Sequence, residues 1–159
     1  NSRPVREYMR RLAEDGAYRV SEAALSRIQH VFRAYAYTDE DTLAVMGRAF
    51  RETGYLPDPH TAIAFAAAEA YRKENPGVPC VSLATASPFK FPQSALRALS
   101  LPESGGAFYM QDALSAAIHM PVPHALASLR GRAPMHTDET TVRGIPEYIL
   151  KKAAILCKA

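Results

Sequence analysis

The sequence predicts an α/β fold that is mostly helical, with about one or two buried parallel strands. Apolar residues recur at helical spacing through most of the chain. One run, residues 78–85, is apolar over the length of a strand and lies between turn signals, which favours a buried parallel strand. With 48% hydrophobic residues, a chain of 159 residues is long enough for one compact domain.

Three helices are predicted in the first part of the chain, because each has an apolar stripe and recognisable end signals. The first follows Pro4 and stops at Gly16. The second begins at Ser21, whose hydroxyl can cap the first turn, and the third begins at the capping-box-like run 38–41 and ends at Gly54. The residues expected to face inward are Val5, Tyr8, Met9 and Leu12, then Leu25, Ile28, Phe32 and Tyr35, then Leu43, Met46, Ala49 and Phe50.

A fourth helix is predicted from Asp58-Pro59 to about Glu74. The carboxylate can accept hydrogen bonds from first-turn amides, and proline is tolerated at the first helical position. The interior of this helix from Thr61 is small and apolar nearly all round, which favours burial between layers. The run 75–77, Asn-Pro-Gly, then ends it.

The predicted strand at 78–85 follows directly. A single strand cannot form a sheet, so its neighbours are expected in sequence outside this chain or in weak strands that the pattern does not reveal. Beyond Pro92 the apolar pattern is helical again. The predicted helices there are roughly 93–99, 111–119, 124–129 and 139–152.

Composition excludes several classes of function. No run of about 18 apolar residues is present to span a membrane, and the first residues resemble neither an initiator methionine nor a secretion signal, so the chain is expected to begin within a longer protein. Cys80 and Cys157 lie far apart without the neighbours of a zinc or disulfide site, which favours a reducing, cytoplasmic setting. The pI near 9.0 invites a nucleic-acid interpretation, but acidic residues interrupt the early arginines. We expect no metal, no nucleic acid and no membrane partner.

Two stretches, 54–62 and 83–91, place polar groups where a fold needs apolar ones. Thr85 ends the predicted strand, where ligands of α/β folds bind, and its hydroxyl can pair with a heteroaromatic ring nitrogen. The alternative is a β-branched residue that simply favours a strand. Lys90 precedes a predicted helix and suits a phosphate or carboxylate, unless Ser87 only turns the chain and Lys90 is solvated.

The first turn of the fourth helix adds two candidates. The helix dipole favours a neutral imidazole at His60, which can bond a ligand or tie down a loop. Asp58 is interpreted as a helix cap in preference to a catalyst. The other histidines show no ligand spacing with a carboxylate partner. They are His30, His119, His124 and His136.

The two stretches resemble signatures of the threonine synthase family. That family has Tyr-Leu-x-Asp-Pro-His-Thr-Ala before a late buried helix, and Thr-Ala-His/Ser-Pro-x-Lys-Phe after a strand. This chain has Tyr-Leu-Pro-Asp-Pro-His-Thr-Ala at 55–62 and Thr-Ala-Ser-Pro-Phe-Lys-Phe at 85–91, in the same order. Tyr-Arg-Val-Ser at 18–21 also resembles the family's preceding segment. The resemblance covers most of the chain but only a C-terminal portion of the enzyme.

The resemblance implies a tryptophan synthase β-like fold and the conversion of O-phospho-L-homoserine and water to L-threonine and phosphate with pyridoxal phosphate. Residues 1–159 are then a C-terminal portion of the catalytic region, within the large cofactor-binding domain. By motif, Thr85 contacts the cofactor's pyridine nitrogen, while Lys90, Ser87, His60 and Asp58 are candidates for substrate contacts. Many members have histidine where Ser87 stands, which leaves a specific role for this residue open.

The resemblance also implies a lysine that forms a Schiff base with the cofactor and a glycine-rich loop for its phosphate. No segment here resembles either, so this chain alone is not expected to complete the reaction, and the remainder of the same enzyme is expected as its partner. Two alternatives stay open: another fold-related pyridoxal-phosphate lyase such as a threonine dehydratase, and a non-catalytic helical module that binds a partner or small anion. The lysines, all in other contexts, are Lys73, Lys90, Lys151, Lys152 and Lys158.

Overall fold

A computed structural model describes residues 3–156, and the burial of side chains for residues 3–154. The described residues contain helices and no strand, and no helix among them is both long and apolar enough to cross a membrane. Cys157 and Lys158 lie outside the described residues. The chain divides into two compact units, residues 1–120 and 121–159. The helices are α1 Arg3–Asp15, α2 Glu22–Val31, α3 Asp39–Thr53, α4 Pro59–Glu74, α5 Pro92–Ala98, α6 Ala107–Ile118, α7 His124–Ala127 and α8 Ile145–Leu156, with 3-10 turns at Pro88–Lys90 and Val142–Gly144.

Helix α3 begins and ends where local signals predict. The Asp41 amide donates to the Thr38 hydroxyl at 3.1 Å, and the Thr38 amide donates to the Asp41 carboxylate at 3.1 Å, which completes a capping box. Gly54 ends the helix with a φ of 74°, a left-handed conformation that a side chain would strain. Both predicted ends of the third helix are confirmed.

Helix α4 has the predicted bounds, with Asp58 as its N-cap. It packs against α3, and the Arg48 guanidinium joins the two helices by donating to both Glu69 carboxylate oxygens at 2.9 and 2.8 Å. The predicted burial of α4 between layers is found only in part among the described residues. Helix α3 covers one face of α4, and an open groove runs along another face. The buried residues of α4 are Thr61, Ala62 and Ala66.

Helix α5 packs against both α3 and α6, which builds the core of the first unit. Gly47 of α3 permits a close approach, because a Cβ atom there would lie 2.5 Å from the Ala98 carbonyl oxygen. The helices predicted at 93–99 and 111–119 are confirmed as α5 and α6, although α6 begins earlier. The largest apolar side chains buried in this core are Phe89, Met46, Leu96 and Leu114.

Helices α1 and α2 form where predicted, but neither apolar face is buried. Of the residues expected to face inward from α1, Val5, Met9 and Leu12 are 58%, 45% and 45% exposed. The Ala24 amide donates to the Ser21 hydroxyl at 3.3 Å, which confirms the predicted cap. The helix ends at Val31, so Phe32 and Tyr35 lie beyond it. Leu25, Ile28 and Phe32 are respectively 36%, 46% and 66% exposed. Periodicity identified an apolar face here, but a face is buried only when another element packs on it.

The predicted buried strand at 78–85 is the main correction to the sequence-based fold class. This segment forms neither strand nor helix, and Val81 and Leu83 are 87% and 74% exposed. A strand requires backbone partners on a neighbouring strand, and no other segment of residues 3–156 supplies them. The described part of the chain is therefore helical rather than α/β.

The second unit contains α7 and α8, with the second 3-10 turn packed on α8. Helix α8 begins later than the predicted 139–152 helix, because Thr141 caps the 3-10 turn first. The Asp138 carboxylate pairs with the Lys152 ammonium at 2.5 Å and accepts from the Tyr148 hydroxyl at 2.9 Å. These two donors, Lys152 most strongly, hold the pKa of Asp138 below its ordinary value.

Candidate functional site

The two polar stretches meet at the start of α4. The His60 ring packs edge-on against the Phe91 ring, with 5.2 Å between the centroids and 77° between the planes. The first turn of α4 and the 3-10 turn at Pro88–Lys90 therefore form one continuous surface, which we call the motif surface. The contact joins His60 to the residue that follows the 3-10 turn, while a contact of His60 with a ligand stays a prediction.

Asp58 lies beneath this surface and shapes it. Its carboxylate is fully buried, and one oxygen accepts from the His60 and Thr61 amides at 3.0 and 3.4 Å. The other oxygen accepts from the Thr61 hydroxyl at 2.5 Å. The interpretation of Asp58 as a helix cap is confirmed, and both carboxylate oxygens are engaged within the first turn of α4.

Ser87 begins the turn on the other side of the motif surface. The Phe89 amide donates to the Ser87 hydroxyl at 3.3 Å, and the Lys90 amide donates to the Ser87 carbonyl at 3.0 Å. The Phe91 amide closes the turn by donating to the Pro88 carbonyl at 2.9 Å. The prediction that Ser87 turns the chain is confirmed, while its contact with an anion stays a prediction.

Lys90 is exposed on a turn whose neighbouring residue, Phe89, is buried in the core. The neighbouring Phe89 side chain is only 2% exposed and sits in the core, whereas the Lys90 side chain is exposed. Among the described residues, no carboxylate forms an ion pair with the Lys90 ammonium. An exposed, unpaired cation on an anchored turn is suited to bind a phosphate or carboxylate.

Thr85 does not have the surroundings that the sequence predicts. It is exposed and lies in the irregular segment 78–85, so the expected position at the carboxyl end of a strand is not found in the described residues. Its hydroxyl is accessible and uncharged, and such a group can donate to or accept from a ring nitrogen. Its contact with a ligand stays a prediction.

Sequence reasoning missed Gln111. This residue lies on α6, is only 6% exposed, and donates from Nε2 to the Phe89 carbonyl oxygen at 3.0 Å. The two residues are 22 positions apart, so no local spacing signal relates them. One available signal was that Gln111 lies at helical spacing from the apolar Leu114 and Ile118, since buried polar side chains in cores have specific partners.

Other parts of the described structure offer weaker sites. No cluster of three or more histidine, cysteine or acidic side chains in residues 3–156 could hold a metal ion. A cleft of about 660 Å³ lies along α3 and α4 but includes no residue of either polar stretch. Its charges are mixed, which favours neither an anion nor a cation. They come from Arg48, Arg51 and Lys73 against Asp41, Glu69 and Glu74.

Comparison with known proteins relates the chain to one family. The family described as "Threonine synthase, C-terminal" matches residues 61–140, about half of the chain. The chain belongs to the threonine synthase family. The resemblance drawn from the two motifs is thereby confirmed. The matched residues include Ser87, Lys90 and Gln111, whereas Asp58 and His60 lie just before them.

Similarity to individual threonine synthases and threonine synthase-like proteins agrees with this family membership. Threonine synthase from Pseudomonas aeruginosa is 34% identical over 98 residues, which are 62% of this chain and 21% of that protein. Threonine synthase-like 1 from Homo sapiens and from Pongo abelii are each 28% identical over 97 residues, which are 61% of this chain and 13% of those proteins. The chain thus spans only a small part of the length of the threonine synthase family members it matches.

Proposed function

We propose that this chain is a C-terminal portion of a threonine synthase that converts O-phospho-L-homoserine and water to L-threonine and phosphate. Such an enzyme is a carbon-oxygen lyase that acts on phosphates. The observation that carries the proposal is the family match over residues 61–140, which includes the exposed cation Lys90 on its anchored turn. A phosphorylated substrate supplies the anion to which that cation is complementary.

We also propose pyridoxal phosphate as the cofactor. When bound, this group withdraws electrons from carbanions formed on the substrate. The accessible Thr85 hydroxyl fits this cofactor, because an uncharged hydroxyl next to the pyridine nitrogen leaves that nitrogen without a counter-charge. The Schiff-base lysine and the cofactor-phosphate loop are proposed to come from the remainder of the same enzyme. The catalytic residues are accordingly not assigned to this chain, and we expect it to be inactive in isolation.

The motif surface is the proposed substrate side of the site. Lys90 attracts and orients the phosphate of O-phospho-L-homoserine, and the Ser87 hydroxyl can donate to the same anion while its oxygen accepts from the Phe89 amide. His60, which adjoins Phe91 at the edge of this surface, is proposed to contact the substrate. Asp58 supports the surface from below. The chain is proposed to belong to the large cofactor-binding domain of a cytoplasmic enzyme.

The test is an assay of the natural gene product supplied with pyridoxal phosphate. Phosphate and L-threonine should appear in equal amounts from O-phospho-L-homoserine. Lys90→Met should raise KM for this substrate about tenfold or more, because a hydrogen bond to a charged group contributes about 1.5–3 kcal/mol. Lys73→Met is the matched control: it removes an exposed lysine near the other end of α4 and should leave KM unchanged.

Two outcomes would overturn the proposal. Release of ammonia from L-threonine without phosphate turnover would assign the protein to a dehydratase. Absence of both activities from the folded, cofactor-supplied gene product would favour a non-catalytic binding module. An unchanged KM in Lys90→Met, with full activity, would remove Lys90 from the substrate site but leave the overall reaction intact.

A further inference from the structure

The peptide unit between Phe89 and Lys90 is held at both of its polar ends. The Gln111 side chain donates to the Phe89 carbonyl oxygen at 3.0 Å, and the Lys90 amide donates to the Ser87 carbonyl oxygen at 3.0 Å. The carbonyl and amide of one peptide unit lie in a common plane that ends at the Lys90 Cα atom. Two hydrogen bonds from opposite sides therefore fix the plane from which the Lys90 side chain departs.

The orientation of the Gln111 amide follows from this contact. Its nitrogen must face the Phe89 carbonyl, because the reversed amide would place two acceptor oxygens against each other. The other amide atom, Gln111 Oε1, is buried, and no donor among the described residues reaches it. A buried acceptor without a donor carries a free-energy cost.

The cost of the buried Gln111 Oε1 atom indicates that Gln111 is not there to stabilise the core. An apolar side chain of the same length, such as methionine, would remove the buried acceptor and leave the core filled. It would also remove the donor to the Phe89 carbonyl. The glutamine is therefore poorly explained by the stability of the core alone, and well explained by the one bond that it makes to the turn.

We propose that Gln111 is a positioning residue that holds the Pro88–Lys90 turn and thereby sets where the Lys90 ammonium lies. The proposal rests on the proposed function, in which Lys90 binds the phosphate of O-phospho-L-homoserine. Gln111 is buried behind the turn and acts through the Phe89 carbonyl. Through Gln111, helix α6 contributes to the proposed site, although α6 contains neither of the two polar stretches.

The first test measures the turn directly and needs no activity. Hydrogen exchange is followed by mass spectrometry in the natural gene product, its Gln111→Met variant and a Gln29→Met control on the exposed surface of α2. The amides of Lys90 and Phe91 should exchange about fivefold faster in Gln111→Met, the effect of losing one hydrogen bond. Amides of α3 should be unchanged. Gln111→Leu also removes the donor, and serves if the methionine variant fails to fold.

The second test asks whether Gln111 acts through Lys90. In Gln111→Met, KM for O-phospho-L-homoserine should rise about fivefold, with kcat within about twofold of the parent. In a Lys90→Met background the same substitution should change KM by less than about twofold, because the cation that Gln111 positions is already gone. A purely structural effect of Gln111 would instead be the same in both backgrounds.

The two tests separate failure of this proposal from failure of the proposed function. Unchanged exchange at Lys90 and Phe91 would overturn the positioning role, whatever the kinetics. Faster exchange with equal KM effects in both backgrounds would overturn the action through Lys90. If Lys90→Met alone leaves KM unchanged, Lys90 does not contact the substrate, and Gln111 then has no effect on substrate binding through it. The exchange data would still show whether Gln111 holds the turn.

Discussion

Replacing Asp58 with alanine tests how much a buried helix cap contributes to α4. The carboxylate accepts three hydrogen bonds, from the His60 amide, the Thr61 amide and the Thr61 hydroxyl, and both Asp58 and Thr61 are almost completely buried. Thr38 caps α3 in a similar way but is exposed. Water can replace the cap at Thr38, whereas it cannot easily reach the buried Thr61 hydroxyl that Asp58 would leave without a partner.

The expected loss of stability in Asp58→Ala follows from these hydrogen bonds. Loss of an ordinary cap costs about 1 kcal/mol, which is the whole effect expected for Thr38→Ala. In Asp58→Ala, the buried Thr61 hydroxyl also loses its partner, which adds about 1–3 kcal/mol. We therefore expect Asp58→Ala to destabilise α4 by about 2–4 kcal/mol. In a Thr61→Val background, where that hydroxyl is absent, the cost should fall back to about 1 kcal/mol.

Native-state hydrogen exchange of the natural gene product at increasing urea concentrations measures these values. The amides of α4 report the free energy of opening that helix, and the amides of α3 report the same for Thr38→Ala. Equal costs for Asp58→Ala and Thr38→Ala would refute the argument from burial. An Asp58→Ala cost that does not change in the Thr61→Val background would refute the assigned partner.

Two further predictions concern packing and charge. Gly47→Ala should weaken the packing of α3 against α5 by about 1–3 kcal/mol, although alanine is the better helix former, because the new Cβ would meet the Ala98 carbonyl oxygen at 2.5 Å. Hydrogen exchange of the α3 amides measures this loss. The control is Gly106→Ala, which has no atom within 4 Å of its new Cβ and should change exchange much less. The pairing of Asp138 with Lys152 and Tyr148 should stabilise the contact between the segment before α8 and the middle of that helix above the ordinary aspartate pKa of 3.8, and be lost as the pH falls through the lowered folded-state pKa. The amide chemical shifts of Tyr148 and Lys152 between about pH 6 and 2.5 should show a transition with a midpoint below 3.8 that is lost in Asp138→Asn, and persistence of that low-pH transition in the variant would contradict the assignment.

The helix ends could be predicted from sequence because each depends on residues within one turn. The capping box at Thr38, the entrance at Asp58-Pro59 and the left-handed Gly54 each satisfy their backbone groups locally. The two motifs that relate the chain to its family are equally local. Their residue types at fixed spacing identified the family without any knowledge of the contacts between them.

The sequence-based predictions that were wrong depend on contacts between residues far apart in the chain. Residues 78–85 have the composition of a strand, but a strand exists only through pairing with another segment, and residues 3–156 provide none. The apolar stripe of α2 likewise shows which face can be buried without showing what covers it. In both cases the missing information is a partner distant in sequence.

For the candidate site, the sequence by itself determined the residue types, the cap at Asp58 and the cation at Lys90. Only the tertiary structure decided that His60 packs against Phe91, that Phe89 is a core residue, and that Gln111 reaches the turn from α6. The physical reason is the range of the interactions. Caps and turns are made among neighbours along the chain, whereas packing and buried hydrogen bonds join residues that only folding brings together.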